Sequence, residues 1–319
     1  MPQNGTHISD HVGRVRSVVS TSAREGLSAF AASWRRSLVH HKLDPSSRGP
    51  AMRMALAEIR ARRDAAGELV RVAGPALDRL SRAVGEAGCA VMLSDAAGIV
   101  LDERVRDADR GAFDRMNLVS GADWSEGAEG TNGIGTCLAE ARPVTVWRDQ
   151  HFRAPHGALK CSGAPVFGAE GSMVGVIDIS SVREDTPDAW AQLLALSVQD
   201  AAQRIEAELF RLRFQGARIL SANEDSTQGV ALLALDRDDL VIGATRSARR
   251  RFGLGEGHFA PCPATDLIGA EGGSLDEAQR AILAQALARS GGNVAAAARA
   301  LGIGRATFYR KARALGLAF

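Results

Sequence analysis

The residue pattern specifies an α+β chain: a mixed sandwich, a short strand-rich segment, and an all-α module at the C-terminal end. Two Val/Ile-rich hairpin patterns carry the sandwich. They are AVMLSDAAGIVLDERV at residues 90–105 and CSGAPVFGAEGSMVGVIDISS at residues 161–181, each with small and polar turn residues between apolar arms. Helical periodicity flanks them on both sides. The third observation is NVAAAARALGIGRATFYRKARALGL at residues 293–317, alanine-rich, then basic, and without a single acid.

A length of 319 residues suits two or three domains. The whole chain carries only +2, but the region from residue 275 onward holds seven basic residues against two acids. The body before it is therefore slightly acidic, and the basic end points to a polyanionic partner. Cys89, Cys137, Cys161 and Cys262 are widely spaced and form no C-x-x-C pair, which suits free thiols in a reducing compartment. The first residues, MPQNGTHISDH, contain no apolar signal-peptide core, and runs such as VALLAL are too short to span a bilayer. A soluble, cytoplasmic protein with no membrane partner is expected.

The elements follow in order. Residues 1–65 read as an N-terminal helical extension, with a basic pair at Arg35 and Arg36. The helical pattern continues through residues 51–86, and Pro75 is expected to open a second helix at its first turn. Residues 66–216 form the sandwich with its closing helix, and PVTVW at residues 143–147 supplies another strand. The closing helix is expected from about Thr186 to Phe214. Its apolar residues Trp190, Leu194, Val198, Ala201, Ile205, Leu209 and Leu212 recur close to every 3.5 positions. That spacing fits either a dimer seam or a helix lying on its own sheet. Residues 217–260 read as strand, acidic turn, strand and short helix, too little for a complete domain. Residues 261–273 suit a linker, and 274–319 form the C-terminal module.

In that module Leu275, Ile282, Leu283, Ala286 and Leu287 mark one apolar helix face, and Gly291-Gly292 stops the helix. Asn293 is a good N-cap for a short alanine-rich helix, and Gly302-Ile303-Gly304 forms a tight turn. A third helix then places Phe308, Ala312 and Leu315 inward. Arg305, Thr307, Arg310, Lys311 and Arg313 are left on the outer surface, with Tyr309 beside them. Two short helices around a tight turn, the second one charged, form a helix-turn-helix. Arginine can grip guanine through two bonds, and Lys and Arg neutralise phosphates, so the partner is double-stranded DNA. The stretch resembles the Fis-type helix-turn-helix that closes bacterial enhancer-binding activators. Thr307, Arg310 and Lys311 fall where that motif places DNA contacts. Gly304 departs from it, standing where a capping Ser is common.

SWRRSLVHHKLDP at residues 33–45 and WSEGAEGTNGIGTCLAEARPVTVWRDQHF at residues 124–152 resemble the GAF sensor region of the acetoin-catabolism-regulator family of transcription factors. The GTN-GIGT run at residues 130–136 is the most specific part. VALLALDRDDLVIGATRSARR resembles the abbreviated PAS-like segment after that domain, so the resemblance covers about residues 33–317. It implies a GAF-type sensor that binds a small molecule such as a ketone, aldehyde, alcohol or aromatic. From the residues themselves, glycines at 130, 133 and 135 permit close approach, and Thr131, Asn132 and Thr136 offer hydrogen bonds in apolar surroundings. Trp124 is a flat wall, and Ile134, Gly135, His151 and Cys161 complete the candidate ligand set. The alternative is that Trp124 is core and the glycines only shape a loop. His151, His156 and Cys161 also fit a metal or haem site weakly, and Cys137 or Cys161 a thiol sensor, but no cofactor or metal is expected.

Full-length members of that family carry an ATPase between sensor and helix-turn-helix, with a phosphate loop ending in Gly-Lys-Ser/Thr. The only lysines here are Lys42, Lys160 and Lys311, and none follows a glycine. No G-x-S-x-G or H-E-x-x-H motif supports an enzyme. The expectation is a non-enzymatic, homodimeric transcriptional regulator. It would act by occupancy, by touching RNA polymerase, or by pairing with a full-length relative. The alternative is a nonspecific DNA-architectural protein that uses its GAF-like part for dimerisation alone.

Overall fold

The computed structural model describes residues 3–21, 29–47, 53–183, 186–222, 229–255, 257–268 and 275–317. The chain divides into two compact units, Met1–Pro261 and Cys262–Phe319.

The first unit begins with α1 (Gln3–Thr21) and α2 (Ala29–Arg35), the latter extended by a π-helical turn to His40. Then come α3 (Leu56–Ala65), α4 (Gly67–Val84) and the hairpin of β1 (Cys89–Asp95) and β2 (Val100–Arg104). The middle holds α5 (Asp107–Arg115), α6 (Glu126–Glu129) and α7 (Gly133–Glu140). After β3 (Val144–Trp147), the strands β4 (Lys160–Phe167) and β5 (Met173–Ser181) form the second hairpin, closed by α8 (Trp190–Arg213). The five strands make one antiparallel sheet in the order β2-β1-β5-β4-β3.

Period-2 alternation gives this sheet two buried faces. Val91, Leu93, Ile177 and Ile179 point into a core shared with Leu77 and Leu80 of α4 and Leu194, Val198, Ala201, Ile205 and Leu209 of α8. Their neighbours Ala90, Met92 and Val176 point the other way, to Phe113, Trp124, Ile134, Cys137 and Cys161. The α8 repeat residues therefore hold that helix to its own sheet. Leu193 and Leu196, off this stripe, are each 58% exposed.

The structure differs from expectation at Pro75. The helix break falls at Ala66, between α3 and α4, and Pro75 sits inside α4. The buried row Leu69, Ala73, Ala76, Leu77, Leu80 and Val84 runs unbroken past it, and this packing outweighs the lost hydrogen bond. Gly74 immediately before it has no side chain to clash with the proline ring.

A meander follows α8: β6 (Arg218–Ser221), β7 (Leu232–Leu235) and β8 (Leu240–Ala244), all antiparallel, then α9 (Arg246–Phe252). The sequence pattern did not reveal β6. Leu232 and Ala234 of the meander pack on Ala207 and Phe210 of α8, so the closing helix anchors both parts. The acidic turn is built by Asp236, whose Oδ1 accepts from the Asp238 and Leu240 N–H groups, both at 2.9 Å.

In the second unit, α10 (Ala264–Ile268) occupies part of the expected linker, and residues 269–273 lie outside the described residues. Then come α11 (Leu275–Arg289), α12 (Val294–Ala300) and α13 (Arg305–Ala314). Leu283, Ala286, Val294, Ala297, Ala298, Phe308 and Ala312 form their core. Ile282, expected on the apolar face, is instead 53% exposed.

Pro75→Ala is expected to raise the unfolding free energy by about 1 kcal/mol or more, because Pro75 is solvent-facing and its ring only obstructs the helix. Urea unfolding measures it. An unchanged or lower stability would show that α4 needs the proline's local geometry.

Candidate functional site

The C-terminal unit builds an exposed cationic helix face on a small core. Asn293 caps α12 by accepting from the Ala296 N–H at 3.1 Å. Gly302, at φ +66°, lets the chain reverse after α12, and the Ile303 N–H reaches back to the Ala298 carbonyl at 3.0 Å. Gly304 then starts α13 with no side-chain cap bond. Phe308 and Ala312 fix the inner side of α13. Arg305, Tyr309, Arg310 and Arg313 are exposed, Thr307 is half-buried, and Ala306 is exposed among them at the helix start. Arg305 lies over the Tyr309 ring, 5.7 Å from its centroid.

Lys311 departs from the expected outward position. It is half-buried, and its Nζ donates to Gln279 Oε1 of α11 at 2.9 Å. It lies one position before Ala312, beside the buried stripe, so its stem runs along the neighbouring helix. Gln279 and Ala306 were both missed in the sequence. An Ala at the start of a recognition helix can contact a thymine methyl, but no residue pattern singles it out.

The candidate ligand residues of the first unit gather where α6 and α7 lie on the sheet, and they are tightly packed there. Trp124, Thr131, Asn132, Ile134, Thr136, His151 and Cys161 are all essentially inaccessible. Asn132 caps α7, its Oδ1 accepting from the Ile134 and Gly135 N–H groups at 2.9 and 2.8 Å. Its Nδ2 donates to the carbonyls of Gly130 and Trp124 at 2.8 and 3.1 Å. A Cβ at Gly133 would come within 2.3 Å of Asp178 Oδ1, and one at Gly135 within 2.4 Å of the Glu126 amide nitrogen. The glycines thus allow contact with the sheet and with α6.

Glu126, also buried, is the hub of this region and was not foreseen. It accepts from Arg36 Nε at 2.6 Å and Nη2 at 3.0 Å, from Ser33 Oγ, and from Thr136 Oγ1 at 3.3 Å. Ser33 also bonds Thr131 at 2.6 Å. The SWRRS stretch of α2 is thereby tied to the GTN-GIGT run. Trp34 beside it is buried with Val15 and Phe152.

A second buried polar group surrounds the histidines. His151 Nδ1 bonds the Arg148 carbonyl at 2.8 Å, and Nε2 meets Cys161 Sγ at 3.3 Å. His156 meets the His151 ring edge-on at 6.4 Å between centroids, stacks on Trp124 at 5.0 Å, and lies 3.8 Å from Glu129. Burial pushes His151 down to about 4 and His156 to about 3. Glu129 pairs with buried Arg153 at 2.9 Å, yet desolvation still pushes its carboxyl up to about 7. Asp178 is pushed to about 7 by burial as well. Ser180 donates to its Oδ2 at 2.5 Å, and its Oδ1 has no hydrogen-bond partner. Burial raises the Cys137 and Cys161 thiols, which opposes easy oxidation. Among the described residues no group of three His, Cys, Asp or Glu side chains converges as a metal site. Among them, too, no helix is long and apolar enough to cross a membrane.

Residues 15–206 match the family described as MimR, N-terminal domain, and residues 274–315 match the bacterial regulatory protein, Fis family. The acetoin catabolism regulatory protein of Cupriavidus necator is 30% identical over 241 residues, covering 74% of this chain and 36% of that protein. The propane 2-monooxygenase operon transcriptional activator MimR of Mycolicibacterium smegmatis is 31% identical over 144 residues, covering 44% of this chain and 24% of the activator. This chain thus spans only about a third or less of the length of these curated relatives. The Escherichia coli DhaR(N)–DhaL complex contains a similar fold, with TM-score 0.50 at 15% identity, covering 75% of this chain and 80% of the matched chain.

Two outcomes follow from the packed loop. Gly133→Ala is expected to destabilise the first unit by about 1–3 kcal/mol, since its methyl meets a buried carboxylate. Denaturant unfolding with wild-type-like behaviour would show that the loop yields. For Asp178, a native value raised above the ordinary carboxylate range means that stability is lost as pH climbs from about 4 through about 7. Asp178→Asn lacks that loss, so its stability relative to wild type should rise between pH 5 and pH 8. A difference constant with pH would contradict the raised value.

Proposed function

This chain belongs to the MimR N-terminal-domain family, and we propose that it is a sequence-specific DNA-binding transcriptional regulator whose first unit senses a small molecule. The observation that carries the reading is the exposed face of α13, where Arg305, Tyr309, Arg310 and Arg313 surround Ala306 on a helix held by its own core. Arginine forks suit guanine edges and phosphates, and the alanine methyl suits thymine. A dimer would set two such helices about 34 Å apart, one turn of the duplex.

The sensing part of the proposal rests on the region around Trp124 and the GTN-GIGT run. Thr131, Asn132 and Thr136 are already bonded internally, so an effector that reaches them exchanges internal contacts for its own rather than entering a void. Ser33 and Arg36 are the natural contacts to exchange, since they come from a separate helix. Such an effector controls DNA binding only through different affinities for two states of the protein.

The regulator would act without an ATPase of its own, by occupancy, by contacting RNA polymerase, or by pairing with a full-length relative. Support comes from the lysines: none of the three follows a glycine, as a phosphate loop requires.

Arg310→Ala should weaken binding to a site selected from random duplexes by about 10-fold or more, consistent with about 1–3 kcal/mol for a lost base contact. Lys311→Ala should act more weakly on DNA and lower the stability of the C-terminal unit, because its partner is Gln279. Fluorescence anisotropy across a salt series reads both. Failure to select any shared sequence, with steep salt dependence throughout, would favour the architectural alternative.

A further inference from the structure

A cleft of about 540 Å³ opens between the sensor sheet and the meander, away from the GTN-GIGT loop. Its floor is Phe167 of β4 with Gln203 and Glu206 of α8. Arg142 enters from the turn after α7, where Ala141 takes a left-handed conformation at φ +50°. Arg246 and Arg250 enter from α9. The described lining residues thus bring guanidinium groups from two separate parts of the unit to one cavity, and Glu206 is the sole acid among them.

The electrostatics are unbalanced in a specific way. Arg246 and Arg250 form no ion pair with any described residue, and Arg142 has only a loose one, 3.6 Å from Glu140. Arg246 is held in place: its guanidinium carbon lies over the Phe167 ring, 3.9 Å from the centroid. Glu206 does not neutralise them fully. Its Oε1 accepts from the Phe167 N–H at 3.0 Å, and desolvation pushes the carboxyl up to about 7. A wall of arginines, one of them held over an aromatic ring, with a single acid in the lining suits a small organic anion.

We propose that this cleft is a binding site for a small carboxylate or phosphate anion, clamped by Arg142, Arg246 and Arg250. The anion bridges the end of α7 to α9, and so fastens the meander to the sensor sheet. This site does not depend on the DNA-binding reading, because anion binding is measured on the protein alone.

The test is isothermal titration of the whole 319-residue chain with sodium phosphate and, separately, sodium succinate, at ionic strength matched with sodium chloride. The expected result is saturable binding of at least one anion with Kd of about 1 mM or tighter, and the tighter one identifies the head group. Arg246→Gln with Arg250→Gln should weaken it at least tenfold. Gln203→Glu, which keeps every arginine and sets a like charge on the floor, should also weaken it. Arg237→Gln, on the acidic turn outside the cleft, should bind as wild type. The proposal is overturned by no saturable binding beyond the chloride control. It is equally overturned by equal affinity in the folded double variant, or by an equal loss in Arg237→Gln.

Discussion

Close contact between a helix and a sheet at two glycines is the constraint on which the first unit depends. A Cβ on Gly163 would sit 2.4 Å from the Gly133 carbonyl oxygen, and one on Gly133 would meet both Asp178 and Cys161. With both positions bare, α7 rests directly on β4 and β5. Asn132 can then cap α7 and tie down the preceding loop, and Thr136 reaches Glu126. Glu126 is buried, and a buried carboxylate needs cationic or hydrogen-bonding partners. Ser33 and Arg36 supply them, which ties the N-terminal helices to this loop, and Trp34 packed with Phe152 adds a second tie.

The same helix carries the arrangement outward. Glu140, the last residue of α7, lies 2.8 Å from Arg36, and Arg142 two residues later lines the cleft against α9. On the far side of the sheet, α8 packs its repeat residues on the sheet and α4, and then seats the meander with Ala207 and Phe210. Two outer parts are thus joined to the five-stranded sheet, the N-terminal helices through α6 and α7 and the meander through α8. A ligand at either place changes contacts that belong to several elements at once.

Much of this was legible in the residues. The two hairpins announced themselves because Val and Ile alternate around turn residues, and the helix-turn-helix because glycine, asparagine and alanine fall where caps and close approach need them. What stayed hidden was set by tertiary context. Pro75 reads as a helix start until the buried row of α4 is seen to pass through it. RILS of β6 is too short and too exposed to signal a strand. No spacing rule marks a charged residue as buried, which concealed Glu126, the Glu129–Arg153 pair and their partners. Asp178 did leave a signal: an acid in VGVIDIS shares the parity of Val176, whose side chain is buried. The candidate ligand residues were found as a group, but their mutual hydrogen bonding depends on α2, which no spacing rule connects to them.

α13 is the element proposed to deliver the protein to specific DNA. Genome-wide occupancy of the intact protein, compared with an Arg310→Ala, Arg313→Ala variant, tests it most directly. Discrete sites sharing an inverted repeat are expected in the wild type and their loss in the variant, with the first unit's melting unchanged. Diffuse occupancy without a common sequence, or discrete sites kept by the variant, would contradict it.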